Sequence, residues 1–456
     1  MQFKRVNFDW QDGRVTYLWP DYPLVIAGQQ PLRVLIEQLD AGHDLDAITS
    51  ALSTLFHAET SDVRPYVLRI AQTLKSLEKP RPPDEELDVN NSLAMATLNI
   101  TRTCNLRCAH CYAGDAPVHT SKELTVEQVH SVVTALGSRI TRSPRLLVIS
   151  GGEPTLVPDK LRMAVLTARQ QGLAVRVNTN GSPIDRELAE FLRDNRAIIQ
   201  VSVDGCMQET HDLLRGKGDS FAVAIATVRH LVDRGCWVRI SCTTHNANVE
   251  QVPQMIDMVR ELGAEQFVTT NLVGIGRAIG ADLLPVPFEE EFLILYNAVK
   301  DDREKQKATR STLLAETVNA IRGGRKFTYC GAGCCTCCVD ADGRLYPCIS
   351  MMRSDYCAGD LRTSNLEAVW TSSPVLQRLR ALNVDQLNPS CSKCIFRYFC
   401  GGYCRGETVW ATRDLTAPYA RCEAWKKGLT RILDFLSETP DLYDFPDSYT
   451  GTLHRE

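Results

Sequence analysis

The stretch Cys104-Asn-Leu-Arg-Cys108-Ala-His-Cys111-Tyr112 directly follows an apolar, strand-like segment at residues 94–100. Thiolates from three cysteines on one loop can hold three of the four irons of a cubane [4Fe–4S] cluster, which leaves the fourth iron open to another ligand. A zinc loop or three core cysteines would give the same spacing. The rest of the chain has to discriminate between these interpretations.

The composition and charge fit a soluble globular protein in a reducing compartment. The 456 residues suggest about three domains of about 150 residues each, and the formal net charge of −4 gives no footprint for nucleic acid. No run of about 18 apolar residues could span a membrane, and the amino terminus lacks the apolar stretch of a secretory signal. We therefore expect a cytoplasmic protein with neither nucleic acid nor membrane as partner, whose 18 cysteines bind metal rather than form disulfides.

Composition shifts divide the chain into segments. A proline-rich, charged stretch predicts a linker over residues 80–93. Twelve of the cysteines lie between Cys330 and Cys422, so metal binding is concentrated in the last third. The expected segments are a domain over 1–79, the linker over 80–93, an α/β domain over 94–315, a cysteine-rich domain over 316–430 and a tail over 431–456.

Short β-rich segments alternate with helical patterns after the linker. Predicted strands cover residues 94–100, 146–149, 174–178, 198–203, 237–242 and 266–272. Thr125-Val-Glu-Gln128 forms a capping box that opens one of the helices. The alternation predicts an α/β fold with a parallel sheet covered by helices. Periodicity alone does not distinguish an open doubly wound sheet from a partial barrel.

A second motif, Ile149-Ser-Gly151-Gly152-Glu153-Pro154, directly follows the second predicted strand. With the cysteine loop, it resembles the radical S-adenosylmethionine (SAM) superfamily. The resemblance implies a partial (β/α)6 barrel in which Cys104, Cys108 and Cys111 hold a [4Fe–4S] cluster and SAM chelates the open iron. Such enzymes cleave SAM reductively to a 5′-deoxyadenosyl radical, which abstracts hydrogen from unreactive carbon.

The resemblance also implies SAM contacts after the later strands. The Gly-Gly-Glu-Pro run would bind the amino group, polar residues after the third and fourth strands would bind the ribose and carboxylate, and Ile275 would flank the adenine. Arg215 suits the carboxylate because its planar fork donates two parallel hydrogen bonds. The expected cofactor contacts are His110, Tyr112, Gly151, Gly152, Glu153, Pro154, Asn178, Ser202, Asp204, Arg215 and Ile275.

Seven of the later cysteines follow a regular pattern. It reads Cys330-x12-Gly343-x4-Cys348-x42-Cys391-x2-Cys394-x5-Cys400-x3-Cys404-x17-Cys422. This pattern resembles the SPASM extension of radical SAM enzymes, which holds two auxiliary [4Fe–4S] clusters, while a pair of zinc knuckles is the alternative. By matching position, the ligands of the inner cluster would be Cys330, Cys348 and Cys404, and those of the outer cluster Cys391, Cys394, Cys400 and Cys422.

Five further cysteines and one isoleucine depart from the usual SPASM pattern. The extra cysteines are Cys334, Cys335, Cys337, Cys338 and Cys357. Cys334 is the first candidate for a fourth ligand of the inner cluster, whereas an open iron there could bind a substrate thiolate. Alternatively, the four crowded cysteines are structural or redox-labile residues of a strand. In SPASM enzymes that mature sulfatases, an aspartate directly after the cysteine matching Cys348 acts as the base on the substrate. Ile349 occupies that position here, which disfavours oxidation of a substrate seryl or cysteinyl residue to formylglycine.

Residues 1–79 predict a winged-helix plan in which β-like pieces precede three helical patterns. Eight basic and ten acidic residues give this segment a net charge of about −2, which is wrong for binding phosphate. The segment resembles the recognition element fused to enzymes that modify ribosomally made peptides. There, a leader peptide adds as a strand to the sheet edge beside the third helix. A purely structural cap is the alternative.

These observations together predict a radical SAM and SPASM peptide maturase. A precursor peptide would be bound by its leader, and an electron donor such as flavodoxin or ferredoxin would reduce the SAM-binding cluster. We expect a thioether from a peptide cysteine to Cα or Cβ, with a carbon–carbon cross-link as the next candidate. The alternatives are modification of a folded protein partner and a non-enzymatic iron–sulfur or zinc protein.

Overall fold

The amino-terminal unit is a three-stranded antiparallel sheet followed by three helices. It is part of a computed structural model that describes residues 4–77, 93–114 and 122–445. Its elements are β1 (Val6–Asp9), β2 (Val15–Trp19), β3 (Leu24–Gly28), α1 (Gln30–Asp40), α2 (Leu45–Phe56) and α3 (Thr60–Ser76). The sequence predicts three strands and three helices here, and all six are present. The predicted linker lies outside the described residues, except for Leu93.

This small sheet is packed on both of its faces. Tyr17 is buried against the three helices, whereas Leu18 on the opposite face belongs to the main hydrophobic core of the chain. Arg14 donates to Asp434 Oδ1 at 2.8 Å, which ties β2 to the carboxyl-terminal helix. The amino-terminal unit is therefore fixed against the body of the molecule.

Six parallel strands form the centre of a larger sheet, and each matches a predicted strand within two residues. They lie side by side in chain order, and three strands of the cysteine-rich region extend the sheet beyond the first of them. The parallel strands from the predicted α/β region are β4 (Met95–Asn99), β5 (Leu146–Ser150), β6 (Ala174–Thr179), β7 (Ile198–Ser202), β8 (Trp237–Thr244) and β9 (Gln266–Asn271). The mostly parallel α/β sheet is thus confirmed.

Helices connect or follow these strands, and most of them cover the apolar face of the sheet. They are α4 (Val126–Arg139), α5 (Pro158–Gln170), α6 (Arg186–Asp194), α7 (Gln208–Arg215), α8 (Ser220–Val232), α9 (Val252–Glu261), α10 (Phe288–Val299), α11 (Arg303–Ala308) and α12 (Leu313–Arg322). The predicted capping box opens α4, since the Thr125 side chain accepts from the Gln128 amide and the Gln128 side chain accepts from the Thr125 amide.

The two faces of the central sheet differ sharply in polarity. On β6, Val175 and Val177 are buried in the main core, while Arg176 and Asn178 lie on the opposite face because side chains alternate along a strand. Gln200 on β7 pairs with Asn178 and shares this polar face. A sheet face lined by polar side chains is suited to bind polar ligands.

The cysteine-rich region continues the central sheet. Its strands are β10 (Thr336–Val339), β11 (Arg344–Tyr346) and β12 (Gly359–Asp360), and its helices are α13 (Leu366–Ser372), α14 (Pro374–Arg380), α15 (Val384–Leu387), α16 (Pro389–Ser392), α17 (Arg397–Cys400), α18 (Arg405–Thr412) and α19 (Cys422–Glu438). β10 pairs in parallel with β4, and Cys338 stands opposite Thr97. The hairpin β10–β11 therefore sits directly beside the strand that leads into the Cys104 loop.

The carboxyl-terminal end of the described chain is packed. α19 lies against α10 and β3, and Tyr443 is buried, with its hydroxyl 2.9 Å from Thr309 Oγ1. The last residues of the predicted tail, 446–456, lie outside the described residues. Within the three described ranges, no helix has the length and apolar character needed to cross a membrane.

Candidate active site and cluster-binding cysteines

The loop with Cys104, Cys108 and Cys111 follows the carboxyl end of β4. The three thiols lie close enough that Cys108 and Cys111 both raise the pKa of Cys104, after the larger effect of burial. Parallel strands direct their carboxyl ends to one edge of the sheet, where ligands bind in open α/β folds. The structure therefore brings the three predicted ligands together at the expected edge.

Gly151 and Gly152 allow the end of β5 to touch the segment before the loop. The Gly152 amide donates to the Thr101 carbonyl at 2.8 Å, and the Glu153 amide donates to the Thr103 carbonyl at 2.8 Å. A Cβ at Gly152 would lie 2.1 Å from the Thr103 oxygen. The glycines thus fix the approach to Cys104, in addition to the SAM contact predicted for them.

The carboxylate of Glu153 is completely buried and accepts several hydrogen bonds. Its donors are the Asn180 amide at 2.7 Å, the Thr179 hydroxyl at 2.9 Å, and the Thr155 hydroxyl and amide at 2.8 and 3.1 Å. Because these donors occupy the carboxylate, it fastens the end of β6 to the end of β5. Pro154, which is also buried, begins a short 3-10 turn directly after it.

A buried ion pair lies behind the cysteine loop. Arg215 is 2.5 Å from Asp204 Oδ2 and 3.7 Å from Cys108 Sγ. Burial alone would raise the pKa of Asp204, but Arg215, His110 and hydrogen bonding hold it below its usual value. The guanidinium predicted to bind the SAM carboxylate therefore already pairs with a buried carboxylate of the protein.

Two buried polar side-chain atoms at this edge have no hydrogen-bond partner among the described residues. They are Asn178 Oδ1, at the end of β6, and His110 Nδ1, within the cysteine loop. Burial lowers the pKa of His110 to about 4, so its imidazole is neutral. SAM carries an ammonium group and two ribose hydroxyls that need acceptors, so these orphaned atoms beside three thiols fit a cluster that binds SAM.

The segment after β9 closes over the loop from the other side. Arg277 donates from its amide to the Cys111 carbonyl at 3.0 Å and from Nε to the Cys108 carbonyl at 2.8 Å. Gly276 has φ +58°, and a Cβ there would lie 2.3 Å from the Cys111 oxygen. Ile275, the predicted adenine neighbour, is buried immediately before this contact.

A polar cluster connects the loop to the β10–β11 hairpin. The Tyr112 hydroxyl donates to Asn99 Oδ1 at 3.2 Å, and Asn99 Nδ2 donates to Asp340 Oδ1 at 3.2 Å. Arg102 forms an ion pair with the same buried carboxylate. Ser202, a further predicted contact, ends β7 and pairs with Ser241 within the neighbouring strand β8.

The three cysteines predicted for the inner auxiliary cluster meet behind the hairpin. Cys330 and Cys404 both raise the pKa of Cys348, after the larger effect of burial, and burial with Cys330 raises the pKa of Cys404 to about 11. The Glu407 amide donates to Cys404 Sγ at 3.4 Å. Buried thiols that repel one another as thiolates suit a cationic centre.

The four cysteines predicted for the outer cluster line one small cavity, together with Trp425 and Lys426. Two of them already accept hydrogen bonds: Asn388 Nδ2 is 3.3 Å from Cys391 Sγ, and the Phe396 amide is 3.4 Å from Cys394 Sγ. Amide donors to sulfur are a feature of iron–sulfur sites. Among the described residues, no three His, Cys, Asp or Glu side chains converge on the position of a single metal ion.

The extra cysteines occupy three different environments. Cys334 is buried beside Cys330 and Cys335, and burial raises its pKa to about 12, but neither Cys348 nor Cys404 influences it. Its role as a fourth ligand stays a prediction. Cys337 belongs to the main core, and Cys338 lies on the polar face, 3.7 Å from Met352 Sδ.

Sequence reasoning missed several residues that shape the site. Asn180 Nδ2 lies 3.8 Å from Cys104 Sγ and donates to Asn105 at 2.9 Å, and its place in the Asn178-Thr-Asn-Gly181 motif was an available signal. Arg277 and Asp340 act through contacts with segments more than 160 residues away, and no local pattern marks them.

Two family models match the chain. The Radical SAM superfamily matches residues 98–259, and the SPASM iron–sulfur cluster-binding domain matches residues 330–395. The chain therefore contains a radical SAM domain and a SPASM domain, and the protein is a radical SAM enzyme. Its cofactors are SAM, a SAM-binding [4Fe–4S] cluster and auxiliary iron–sulfur clusters.

Relatives and structural neighbours of this chain carry different names. The AdoMet-dependent heme synthase of Methanosarcina barkeri is 27% identical over 341 residues, which are 72% of this chain and 95% of that protein. Mycofactocin maturase MftC of Mycolicibacterium smegmatis is 28% identical over 335 residues, 72% of this chain and 82% of that protein. The structure of Streptococcus suis SuiB bound to precursor peptide SuiA has a TM-score of 0.59 at 13% identity and covers 92% of this chain and 100% of that chain.

Proposed function

We propose that this enzyme matures a ribosomally made precursor peptide by installing a cross-link in it. The observation that carries the proposal is the amino-terminal unit, a β-sheet with two edge strands that is fixed to a radical SAM and SPASM body. Without residues 1–79, the chain would have 377 of its 456 residues, or about 83%. The likeness to the peptide-bound SuiB structure covers 92% of the chain, so it includes part of residues 1–79. That likeness concerns the fold, and it supports a peptide-recognition role for the unit.

We assign the leader peptide to the edge of β3. Among the described residues, no backbone hydrogen bond joins β3 to a strand other than β2. Its sequence Leu24-Val-Ile-Ala-Gly28 carries no charge, whereas the other edge strand, β1, contains Asp9. Uncharged edges accept added strands, while charged edges resist them.

The site residues have separate tasks in the proposed reaction. Cys104, Cys108 and Cys111 would hold the cluster, which with bound SAM would supply the radical chemistry needed to remove hydrogen from a peptide carbon. Asn178 Oδ1 and His110 Nδ1 offer polar contacts for SAM. Close backbone contacts at Gly152 and Gly276, and the hydrogen bond from the Ala109 amide to the Leu214 carbonyl, hold the cysteine loop in place. Formation of a thioether to Cα or Cβ, or of a carbon–carbon bond, removes two hydrogen atoms from the peptide. This net oxidation gives the SPASM cysteines a reason to hold further redox centres.

A photo-crosslinking experiment tests the leader site. A leader peptide taken from a small cysteine-bearing peptide encoded beside the gene, with a benzophenone residue at its centre, is irradiated with the enzyme and the product is mapped by mass spectrometry. We expect cross-links in residues 24–28 and none with a scrambled leader. Cross-links confined to β1 or to the SPASM region would contradict the assignment.

An anaerobic assay tests the chemistry. The reconstituted enzyme is incubated with SAM, a strong reductant and the precursor, and both 5′-deoxyadenosine and peptide mass are measured. We expect 5′-deoxyadenosine and a peptide that has lost two hydrogens, and neither from a Cys104→Ala/Cys108→Ala/Cys111→Ala variant. SAM cleavage with every candidate peptide unchanged would remove the peptide proposal and keep the radical chemistry.

A second candidate substrate is a tetrapyrrole. It is favoured by the match to the heme synthase, which spans 95% of that protein. An absorbance titration with iron coproporphyrin distinguishes the two. A shifted Soret band with micromolar affinity, together with no leader binding, would favour the tetrapyrrole over the peptide.

A further inference from the structure

Two arginines stand on the polar face of the central sheet, near the predicted SAM contacts. Arg176 on β6 lies two residues before Asn178, which places it about 6.6 Å further along the same face. Arg239 on β8 pairs with Gln200 on β7, and Gln200 pairs with Asn178 on β6. Arg239 is thus level with Asn178 across the sheet, whereas Arg176 lies two residues nearer the amino-terminal end of its strand.

The protein leaves this positive charge incompletely neutralised. Arg239 Nε donates to Gln200 Oε1 at 2.8 Å, whereas Arg176 Nε is shielded from solvent and has no hydrogen-bond partner in the described part of the chain. Among the described residues, no carboxylate oxygen lies within 4.0 Å of either guanidinium. Glu316 on α12 is the acidic group that faces the pair, and it does so without direct contact.

The energetic cost of this arrangement is visible in the lowered pKa values of the two arginines. Burial and, after it, the neighbouring Arg176 lower the pKa of Arg239 to about 9, against the opposing effect of Glu316. Burial lowers the pKa of Arg176 to about 10, against the opposing effect of Glu316. Two guanidinium groups face one carboxylate, so this part of the polar face keeps a net positive charge, and buried charges are normally paired.

Carboxylate is the anion that this geometry suits. A guanidinium fork donates two parallel hydrogen bonds to the two oxygens of a carboxylate. All three polar side chains, Arg176, Gln200 and Arg239, stand on adjacent strands of one rigid sheet, which is the kind of scaffold that orients a substrate accurately. A carboxylate held there would lie next to Asn178, a predicted SAM contact.

We infer that Arg176 and Arg239 bind a carboxylate group of the substrate and thereby set which carbon faces SAM. Under the proposed function, on which this inference rests, the carboxylate belongs to the core peptide, either as an Asp or Glu side chain or as the carboxyl terminus. These arginines are specificity-determining residues, and the site takes anionic peptides in preference to neutral ones.

Thermal unfolding of the reconstituted enzyme without any precursor tests the site directly. The probes are N-acetyl-glutamate α-amide for a side-chain carboxylate, N-acetylglycine for a terminal carboxylate, and N-acetyl-glutamine amide as the neutral counterpart. Binding to the native state raises the midpoint of unfolding, and we expect a rise of roughly 2–4 °C with one of the acids at saturation and none with the neutral amide.

Variants separate binding from structure. In Arg176→Gln we expect the acid-dependent rise to disappear while the unfolding midpoint without acid is unchanged or higher, because an unpaired buried charge has been removed. Arg176→Lys should keep part of the rise. Arg229→Gln, at an exposed position on α8, is the matched control and should behave as the wild type.

Three results would overturn the inference. They are an equal rise with the neutral amide, a rise that survives in Arg176→Gln and Arg239→Gln, and a larger rise with inorganic phosphate than with either acid. Because no peptide is present in this experiment, failure of the maturase assay leaves its result intact. Conversely, loss of the carboxylate effect would not change whether the enzyme modifies a peptide.

Discussion

At the scale of single residues, Arg215 neutralises the buried carboxylate of Asp204. It pairs with Asp204 at 2.5 Å and lies 3.7 Å from Cys108 Sγ. Arg215→Gln should lower the free energy of unfolding by about 3–5 kcal/mol, because it leaves the Asp204 carboxylate buried without its partner. Urea unfolding under anaerobic conditions measures this loss.

A double variant provides the control for this pair. Asp204→Asn/Arg215→Gln should recover part of the stability lost in Arg215→Gln, since the unpaired carboxylate is gone. A double variant as unstable as the sum of its two single variants would mean that the two side chains do not act on each other.

His211 makes stability depend on pH in a predictable direction. Its Nδ1 accepts from the Asp204 amide at 3.1 Å, and burial lowers its pKa from 6.5 to about 4. The unfolded chain then binds more protons between these values, so the stabilising contribution is present above pH 6.5 and is lost as pH falls towards 4. Between pH 7.5 and 5.5 the loss from this residue is about 1.3 kcal/mol.

His211→Asn tests that dependence, because the asparagine oxygen can replace Nδ1 as acceptor but does not titrate. The difference in unfolding free energy between pH 7.5 and 5.5 should shrink by about 1 kcal/mol in the variant. An unchanged difference would assign the acid sensitivity to other groups.

At the scale of elements, the strand ends hold the cysteine loop by close backbone contact. Gly152→Ala would place a Cβ 2.1 Å from the Thr103 oxygen, and two backbone segments would have to separate. We expect this variant to lose about four of about twelve irons per chain, the content of one cubane cluster, and to lose SAM cleavage. Gly218→Ala is the control, since a Cβ there meets nothing within 4 Å. Full iron content in Gly152→Ala would show that the loop tolerates the displacement.

How far sequence predicts these elements depends on the range of the interactions that form them. The parallel strands follow from local apolar runs, and β5, β6 and β7 are found within two residues of their predicted bounds. The pairing of β10 with β4 was not predicted, because a four-residue strand inside a cysteine run has no clear period and its partner lies about 240 residues earlier. Likewise, the spacing of the SPASM cysteines predicts their grouping, but the contacts of Arg277 and Asp340 exist only in the folded chain.

At the scale of the whole molecule, one network joins the radical SAM sheet to both auxiliary sites. Arg421 donates to Asn271, at the end of β9, at 2.5 Å and to Glu407 at 2.8 Å. Glu407 is three residues beyond Cys404 of the inner site, and Arg421 directly precedes Cys422 of the outer site. Hydrogen bonds from Arg421 therefore connect the segments that carry both groups of SPASM cysteines to the sheet of the predicted SAM site.

The outer site nevertheless shares no cysteine with the SAM-binding loop, so the two should be separable by mutation. Cys391→Ser/Cys422→Ser removes two of the four thiols that line the outer cavity. We expect loss of about four of about twelve irons, continued cleavage of SAM to 5′-deoxyadenosine, and loss of the cross-linked peptide, because the second oxidising step would lack its centre.

Iron analysis, 5′-deoxyadenosine assay and peptide mass on one preparation measure these three quantities together. Cys357→Ser is the matched control, because the Cys357 thiol contacts the Gly359 carbonyl at 3.6 Å and belongs to neither predicted ligand group. It should keep all three at wild-type values. If the double variant still forms the cross-link at the wild-type rate, the outer site has a structural role, and the second oxidation must occur at the inner site formed by Cys330, Cys348 and Cys404.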